Sequence, residues 1–278
     1  MKRRVFVILI LAVLAVSGHA TDTNQATVTS TNRAVSENSN ARAIPAKVGS
    51  AGDTNKTAVV STNKPAWESS VAAGLSLTRG NSDTLLATMA FKTRKKTPVN
   101  EFAFGVDGSY GENDSVENIE TLHGVVQYNH LLNERFYGYL NAEGLHDGIA
   151  DLQYRFTFSP GAGYYFLKGT NATLAGEIGP GLICQRLGDM DTTYASLRLA
   201  ERFEQKFGDG ARVWERAEFL PQVNNLENFL VNAEIGAEAA LTKTFSLRVT
   251  LQDNFVNQPA PGHKDNDVRL ISAVVYKF

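Results

Sequence analysis

The amino-acid sequence predicts an all-β fold, a transmembrane antiparallel β-barrel of about 12 strands, preceded by a signal peptide and a disordered linker. Three observations carry this prediction. Apolar and polar residues alternate with a period of two from residue 67 onward, which is the pattern of strands whose two faces meet different surroundings. The N-terminal residues have the features of an export signal. The closing residues Tyr276-Lys277-Phe278 continue the alternation as far as a terminal aromatic side chain.

The first 20 residues have the layout of a secretory signal peptide. Three basic residues at 2–4 precede an apolar run at 5–16, and the small residues Gly18 and Ala20 precede the expected cleavage point. The apolar run is shorter than the roughly 20 residues that a transmembrane helix needs. We therefore expect residues 1–20 to be removed after export.

Residues 21–66 are predicted to form a disordered linker. They are rich in Thr, Ser, Asn and Ala and contain no Phe, Tyr or Trp, so they cannot bury enough apolar surface to offset the entropy lost on ordering. Signal and linker together carry eight of the 27 Lys and Arg residues but only three of the 29 Asp and Glu residues. The predicted barrel, 67–278, therefore has a net charge near -7, although the whole chain has -2.

The composition also excludes several classes of protein. A net charge of -2 argues against a basic nucleic-acid-binding protein, and we predict no nucleic-acid partner. The single cysteine, Cys184, excludes an intramolecular disulfide framework and a zinc site made of cysteines. The mean hydropathy of -0.20 excludes a bundle of transmembrane helices.

Twelve strands follow from the alternation. In the first, Trp67 and Val71 lie on one face, whereas Glu68 and Ser70 lie on the other. The predicted strands occupy residues 67–77, 84–92, 101–110, 121–129, 135–146, from 153 onward, 174–185, 194–203, 212–221, 229–239, 245–252 and 268–278. The strand at 212–221 has large apolar side chains on both faces, so a count of ten stays open beside twelve.

The connections between these strands fall into two sets. One set is short and turn-like, at 95–100, 131–134, 168–171, 208–210 and 241–243. The other set is mostly longer and polar, at 111–117, 147–152, 187–191, 221–227 and 258–267. Short turns on one rim and long loops on the other are typical of outer-membrane barrels with both termini in the periplasm.

The alternation does not by itself say which face meets lipid. An apolar face points inward in a soluble barrel and outward in a membrane barrel. The export signal and the aromatic residues near strand ends favour the membrane, and we take the polar face as the wall of a lumen. Charges of both signs lie at mid-strand on that face, and the candidate lumen-facing residues are Glu143, Arg155, Glu177, Arg198, Arg202, Glu234 and Arg248.

The C-terminal residues resemble the insertion signal of bacterial outer-membrane barrels. Val274, Tyr276 and Phe278 alternate along the last strand. An extended strand can add to an open sheet edge, where its backbone gives affinity and its alternate side chains give recognition. We expect the barrel assembly machinery to be a partner through this strand, and outer-membrane lipid to surround the barrel.

Several segments are similar to the family of salt-induced outer membrane proteins, a domain of unknown function. They are the opening strand with the turn Gly80-Asn81-Ser82-Asp83, the glycine-rich strand at 159–164, the segment Pro261-Gly262-His263-Lys264 and the closing Tyr276-Lys277-Phe278. The resemblance covers 67–278 and excludes the linker. It implies a barrel in the outer membrane of a Gram-negative bacterium, with the linker in the periplasm, and it implies no biochemical activity.

The residues that could carry chemistry do not form a recognisable motif. His123 and His146 are the candidate catalytic histidines, because some outer-membrane phospholipases are also twelve-stranded barrels, but no serine motif accompanies them. Pairs of loop acids could bind a divalent cation through oxygen, although solvated loop acids are the usual outcome: Asp189 with Asp191, Asp265 with Asp267, and Glu112 with Asp114. We predict no catalytic residue, no metal and no cofactor.

Three functional hypotheses remain at this stage. The favoured one is a non-enzymatic outer-membrane barrel of the salt-induced type, either a narrow pore for small solutes or an envelope-stress structural protein. Its mixed lumen charges could line a pore or form a structural network. The alternatives are an outer-membrane enzyme that acts on lipid and a secreted soluble β-protein that binds a ligand.

Overall fold

The computed structural model describes residues 67–78 and 84–278, which form a closed antiparallel β-barrel of twelve strands. Consecutive strands are neighbours throughout, and the first strand pairs with the last. The strands are β1 Trp67–Thr78, β2 Thr84–Lys96, β3 Asn100–Asn113, β4 Val116–Leu131, β5 Phe136–Asp147, β6 Leu152–Lys168, β7 Ala172–Leu187, β8 Met190–Phe207, β9 Ala211–Gln222, β10 Asn225–Ala240, β11 Phe245–Val256 and β12 Asn266–Lys277. The predicted fold class is confirmed. The predicted signal peptide at 1–20, the linker at 21–66 and the turn at 80–83 lie outside the described residues.

The ambiguous ninth strand is a full member of the barrel. β9 pairs with β8 on one side and β10 on the other, so the barrel has twelve strands and not ten. Its inner face carries the large side chain of Trp214, which covers Gly236 of β10. A Cβ atom on Gly236 would lie 2.1 Å from Cζ2 of the indole. The apolar residue on the polar face thus fills space that a glycine leaves open.

The connections on the two rims differ less in length than the sequence predicts. The turn rim has connections at 97–99, 132–135, 169–171, 208–210 and 241–244, and the opposite loop rim has connections at 114–115, 148–151, 188–189, 223–224 and 257–265. The prediction of long loops is wrong at 111–117, 187–191 and 221–227, because the strands continue through most of these residues. Asp114 and Ser115 both have positive φ, 50° and 64°, as a tight two-residue hairpin turn requires. Of the connections that the structure describes on this rim, only 257–265 is long.

The outer face of the barrel is apolar. Phe156, Leu122 and Ile178 are 60%, 56% and 53% exposed. Aromatic side chains meet near the turn rim, where the ring centroids of Phe136 and Tyr164 lie 4.6 Å apart and those of Phe245 and Tyr276 lie 5.2 Å apart. An apolar belt with aromatic residues at its edge is the surface of a transmembrane barrel.

No helix in the described part of the chain has the length and hydropathy that crossing a bilayer requires.

The inner face is partly filled by side chains that lie flat on glycines. Tyr137 and Tyr139 of β5 lie over Gly163 and Gly161 of β6, where added Cβ atoms would be 2.2 Å and 2.6 Å from the rings. Tyr137, Tyr139, Tyr165 and Ala175 form one buried cluster. A second cluster lies nearer the loop rim and contains Ile183, Leu220 and Leu230, with Tyr194 and Val256 packed against them. The interior is therefore narrowed at two levels.

The seam between β1 and β12 is short. Four residue pairs are in register, from Ser70 with Lys277 to Ala73 with Val274, whereas β1 and β2 share twelve pairs. Ser69 and Phe278 add two backbone hydrogen bonds at the turn rim, with N–O distances of 3.3 and 3.0 Å. The barrel is closed by its smallest strand interface.

Candidate functional site: the charged lumen

The structure places all seven predicted lumen residues on the inner face of the barrel, in four separate groups. Glu177, Arg198 and Arg202 share one cluster, Glu143 pairs with His123, and Glu234 and Arg248 lie on neighbouring strands. Arg155 stands apart. It is 7% exposed, and its Nε donates to Oε1 of Gln185 at 2.7 Å. Alternation therefore predicted the face of these residues but not their grouping.

Glu177 is the centre of the largest cluster. Its Oε1 accepts hydrogen bonds from Gln127 Nε2 at 2.7 Å, Tyr137 Oη at 2.8 Å and Arg202 Nη2 at 2.6 Å. Its Oε2 accepts one from Arg198 Nη1 at 2.7 Å. These bonds join four strands, since Gln127 lies on β4 and Arg202 on β8. A buried carboxylate with this number of charge-assisted partners is strongly held, and the cluster fills the lumen on the β4–β8 side.

A second carboxylate, Glu238, holds three cations. Its Oε2 is 2.9 Å from Arg212 Nη2 and 3.0 Å from Arg248 Nη2, and its Oε1 is 2.6 Å from Lys277 Nζ. Sequence reasoning did not single out Glu238, Arg212 or Lys277. The signal was available for two of them, because Glu238 and Lys277 occupy the polar faces of their strands. Only the register, which sets Glu238 against both Arg212 and Arg248, shows that they meet.

His123 lies between two carboxylates. Its Nδ1 is 3.1 Å from Asp107 Oδ1 and its Nε2 is 2.9 Å from Glu143 Oε1. Both ring nitrogens must donate to satisfy two ionised carboxylates, and only the imidazolium has two N–H groups. The arrangement is therefore a three-strand ion triad. It leaves neither nitrogen to activate a serine, which removes the catalytic role considered for His123.

His146 lies on the outer face of the barrel. It pairs in register with the outward-facing Leu122, and its Nδ1 donates to the backbone oxygen of Gln153 at 2.9 Å. The two histidines are thus not brought together. Among the predicted loop acids, Asp191 accepts a hydrogen bond from Tyr154 Oη at 2.8 Å. Within 67–78 and 84–278, no group of three or more His, Cys, Asp or Glu residues is placed to hold a metal ion.

Charged side chains reach across the lumen near the turn rim. Arg94 of β2 is 2.5 Å from Glu68 and 3.9 Å from Glu204 of β8. Because β2 and β8 are six strands apart in a ring of twelve, this second contact spans the barrel. Glu204 also lies 3.5 Å from Arg212. These ion pairs narrow the lumen without closing the space beside them.

A cavity of about 840 Å³ occupies the rest of the lumen. It reaches the turn rim at residues 208–210 and Phe278, and its walls include Asp107, Trp214, Glu234 and Arg248. Two further cations, Lys92 and Arg216, line it. The lumen thus combines a filled half with an open, charged half.

The connection 257–265 lies across the mouth at the loop rim. Nδ1 of His263 donates to the backbone oxygen of Ile149 at 2.9 Å, and Ile149 belongs to the connection between β5 and β6 on the opposite side of the ring. Ala260 in the same connection is 3% exposed. The apolar cluster of Ile183, Leu220 and Leu230 lies below this rim. The loop and the cluster narrow this end of the lumen.

The three C-terminal residues of the predicted insertion signal lie on the outer face. Val274, Tyr276 and Phe278 are 49%, 45% and 62% exposed. The rings of Tyr276 and Phe278 stack at a centroid distance of 5.8 Å. These three side chains therefore belong to the apolar outer face of the barrel.

Comparison with known proteins identifies a family profile. Residues 71–278 match the family described as "Protein of unknown function, DUF481". A search of curated proteins found no relative with significant similarity.

Solved structures with a similar fold include two porins and LpxR. The structure titled "KdgM porin" is 9% identical with a TM-score of 0.43, and the alignment covers 77% of this chain and 99% of that one. The NanC porin is 7% identical with a TM-score of 0.46, covering 76% and 97%. LpxR from Salmonella typhimurium is 9% identical with a TM-score of 0.43, covering 77% and 100%.

Proposed function

We propose that this chain, which belongs to the family described as "Protein of unknown function, DUF481", is an outer-membrane barrel of a Gram-negative bacterium. We propose further that this barrel conducts small solutes. The conducting path is the narrow charged lumen. The observation that carries the proposal is the cavity of about 840 Å³ beside the ion-pair clusters, with charges of both signs on its walls. A barrel whose only role is mechanical has no need for this open space.

The membrane assignment is supported by the chemistry of the two faces. The outer face exposes Phe156, Leu122 and Ile178, whereas the inner face buries Glu177, Arg198 and Arg248. The first and last strands pair with each other along four residues, so the sheet closes on itself, as a sheet that spans a bilayer does. The predicted signal peptide would supply export, and the predicted linker would then lie in the periplasm.

The direction of the path follows from the two rims. The cavity reaches the turn rim, and the connection 257–265 covers the loop rim. In the usual orientation of such barrels the short turns face the periplasm. In the proposed pore, the connection 257–265 covers the external mouth, and conduction requires this loop to move aside.

Planar-bilayer recording tests the proposal directly. Folded protein, verified by heat-modifiable gel mobility, is expected to give discrete current steps, with longer open times when His263 is replaced by alanine. Silence of both the folded wild type and the folded His263→Ala variant would contradict the pore.

A structural role is the second candidate, and the Glu177 cluster favours it. Five charged or polar side chains from β4, β5, β7 and β8 meet there, as in a barrel reinforced across its lumen. The same recordings separate the two roles, since a structural barrel stays silent in every folded variant.

A further inference from the structure

We propose that the lumen holds a binding site for small oxyanions, carboxylate or phosphate in chemistry, formed by Lys92 and Arg216 beside Arg248. The role of this site in conduction rests on the proposed function. The binding itself is a property of the folded barrel and can be measured without any current.

The first observation is that two cations in the cavity form no ion pair. In the described part of the chain, neither Lys92 nor Arg216 has a carboxylate oxygen within 4.0 Å, although both line the cavity. Lys92 lies on β2 and Arg216 on β9. A half-buried ammonium group and a guanidinium group without a partner are costly to keep in a protein interior, and an anion from solution would compensate both.

The nearest carboxylate is already engaged. Glu234 is the register partner of Arg216. It accepts hydrogen bonds instead from Trp214 Nε1 at 2.6 Å and Gln252 Nε2 at 3.1 Å. Asp107, on the Lys92 side, is held by His123 at 3.1 Å. Both acids therefore have hydrogen-bond donors of their own, and neither forms an ion pair with Lys92 or Arg216.

Glu238, the next acid along β10 on the inner face after Glu234, is shared by several basic side chains. Glu238 contacts Arg212, Arg248 and Lys277, and Arg212 is shared with Glu204. Around Glu234 and Glu238, five positive charges therefore face three negative ones, counting Lys92, Arg216 and Glu204. This local excess of positive charge lies in a cavity whose walls as a whole carry charges of both signs, and a locally positive potential attracts anions.

The size of the space suits a small ligand. A cavity of about 840 Å³ falls in the range of pockets that hold small molecules, roughly 300–1,000 Å³. Arginine and lysine together offer planar and point-charge donors that match carboxylate and phosphate oxygens. We therefore assign the site to small oxyanions.

Trp214 provides a local reporter of anion entry. It lines the same cavity, and its ring lies 5.1 Å from the Arg212 guanidinium and 5.9 Å from that of Arg248. The chain has two tryptophans. Replacing the outward-facing Trp67 by phenylalanine leaves Trp214 as the single tryptophan.

The experiment measures quenching of Trp214 in the detergent-folded Trp67→Phe protein by iodide and by neutral acrylamide. Adding Lys92→Gln and Arg216→Gln is expected to lower the iodide quenching constant by about threefold or more, because the local anion concentration falls, while acrylamide quenching stays unchanged. Inorganic phosphate should protect Trp214 from iodide only when both cations are present.

A matched control removes the same charge elsewhere. Lys243→Gln with Lys264→Gln takes two exposed lysines from the rims and should leave iodide quenching as in the parent. Equal iodide quenching in the lumen variant and in this control would overturn the site.

Conductance separates failure of the site from failure of the pore. Under a salt gradient, the reversal potential of the lumen variant should shift toward cation preference. If no protein conducts but iodide quenching depends on Lys92 and Arg216, the pore fails and the binding site stands.

Discussion

At the residue scale, the interior of this barrel depends on carboxylates that each hold several partners. Glu177 and Glu238 are 5% and 3% exposed, and each accepts bonds from at least two cations. A buried charge is tolerated only when its partners satisfy it. These two acids therefore matter more to stability than the many exposed acids of the loop rim.

Glu177→Gln tests this dependence. The change leaves Arg198 and Arg202 without their shared charge, and we expect the free energy of unfolding to fall by about 3–5 kcal/mol, the usual cost of breaking a buried ion pair. Urea titration of the refolded protein in detergent, followed by tryptophan fluorescence, measures it. Glu117→Gln at the exposed loop rim is the control, with an expected change within about 0.5 kcal/mol. Equal stability of the two variants would show that the cluster contributes nothing.

The fit of Trp214 over Gly236 makes a second prediction. An alanine Cβ at residue 236 would lie 2.1 Å from Cζ2 of the indole, so the ring must move. We expect Gly236→Ala to shift the emission of Trp214 and to lower stability by about 1–3 kcal/mol, as overpacking usually does. Gly124→Ala, where the nearest atom is 3.9 Å away, is the matched strand control. An unchanged spectrum in Gly236→Ala would disprove the close packing.

Sequence alone could predict which residues face the lumen but not which of them meet. The period of two placed Glu177, Arg198 and Glu234 on the polar face. The partners of Glu177 come from β4, β5 and β8, and such contacts depend on the curvature of the closed barrel and on side-chain rotamers. Lys92 and Arg216 were missed for a similar reason. Their significance lies in the lack of an ion pair, which no sequence pattern shows.

At the element scale, the main difference from the sequence-based expectation concerns the loop rim. Polar residues such as Glu112 and Glu117 suggested a loop, but they pair with each other across a hairpin. Polarity marks solvent exposure and not the end of a strand, because the backbone can keep its hydrogen bonds beyond the membrane. The connection 257–265 keeps its predicted length, and it contains the residue that reaches across the mouth.

This connection makes a third prediction. His263→Ala removes the hydrogen bond to Ile149, so the loop should leave the mouth more often and single-channel open times should lengthen. Lys264→Ala, a change at the next residue of the same loop, should leave the open times as in wild type. Equal open times in wild type and His263→Ala would argue that the loop is not a gate.

The last strand makes a fourth prediction. Phe278→Ala keeps both backbone hydrogen bonds to Ser69 but removes an outward ring stacked on Tyr276. If that ring is read during insertion, the folded fraction in cell membranes should fall, while protein refolded in detergent keeps its stability within about 1 kcal/mol. Heat-modifiable gel mobility measures both quantities. A normal folded fraction in cells would contradict a role in recognition.

At the scale of the whole molecule, the fold could be predicted because a membrane barrel repeats one simple rule. Each strand has an apolar and a polar face, neighbours are consecutive, and an even number of strands brings the ends together. The alternating pattern is weak in any one strand, but twelve strands with the same pattern together predict the barrel, even though one strand is ambiguous. The rule says nothing about what fills the lumen, so the sequence left open whether the interior is solvated or packed.

The short seam between β1 and β12 has a consequence for the order of folding. Every other interface joins strands adjacent in sequence, whereas the four pairs from Ser70 with Lys277 to Ala73 with Val274 join segments about 200 residues apart. Contacts between distant segments form late, because they require the intervening chain to be arranged first. In pulse-labelling hydrogen exchange during refolding, we expect those amides of 70–73 and 274–277 whose hydrogen bonds cross the seam to gain protection last. The hairpins would then form first, and pairing of β1 with β12 would be the rate-limiting step of folding. The same interface would be the first to open when the barrel unfolds.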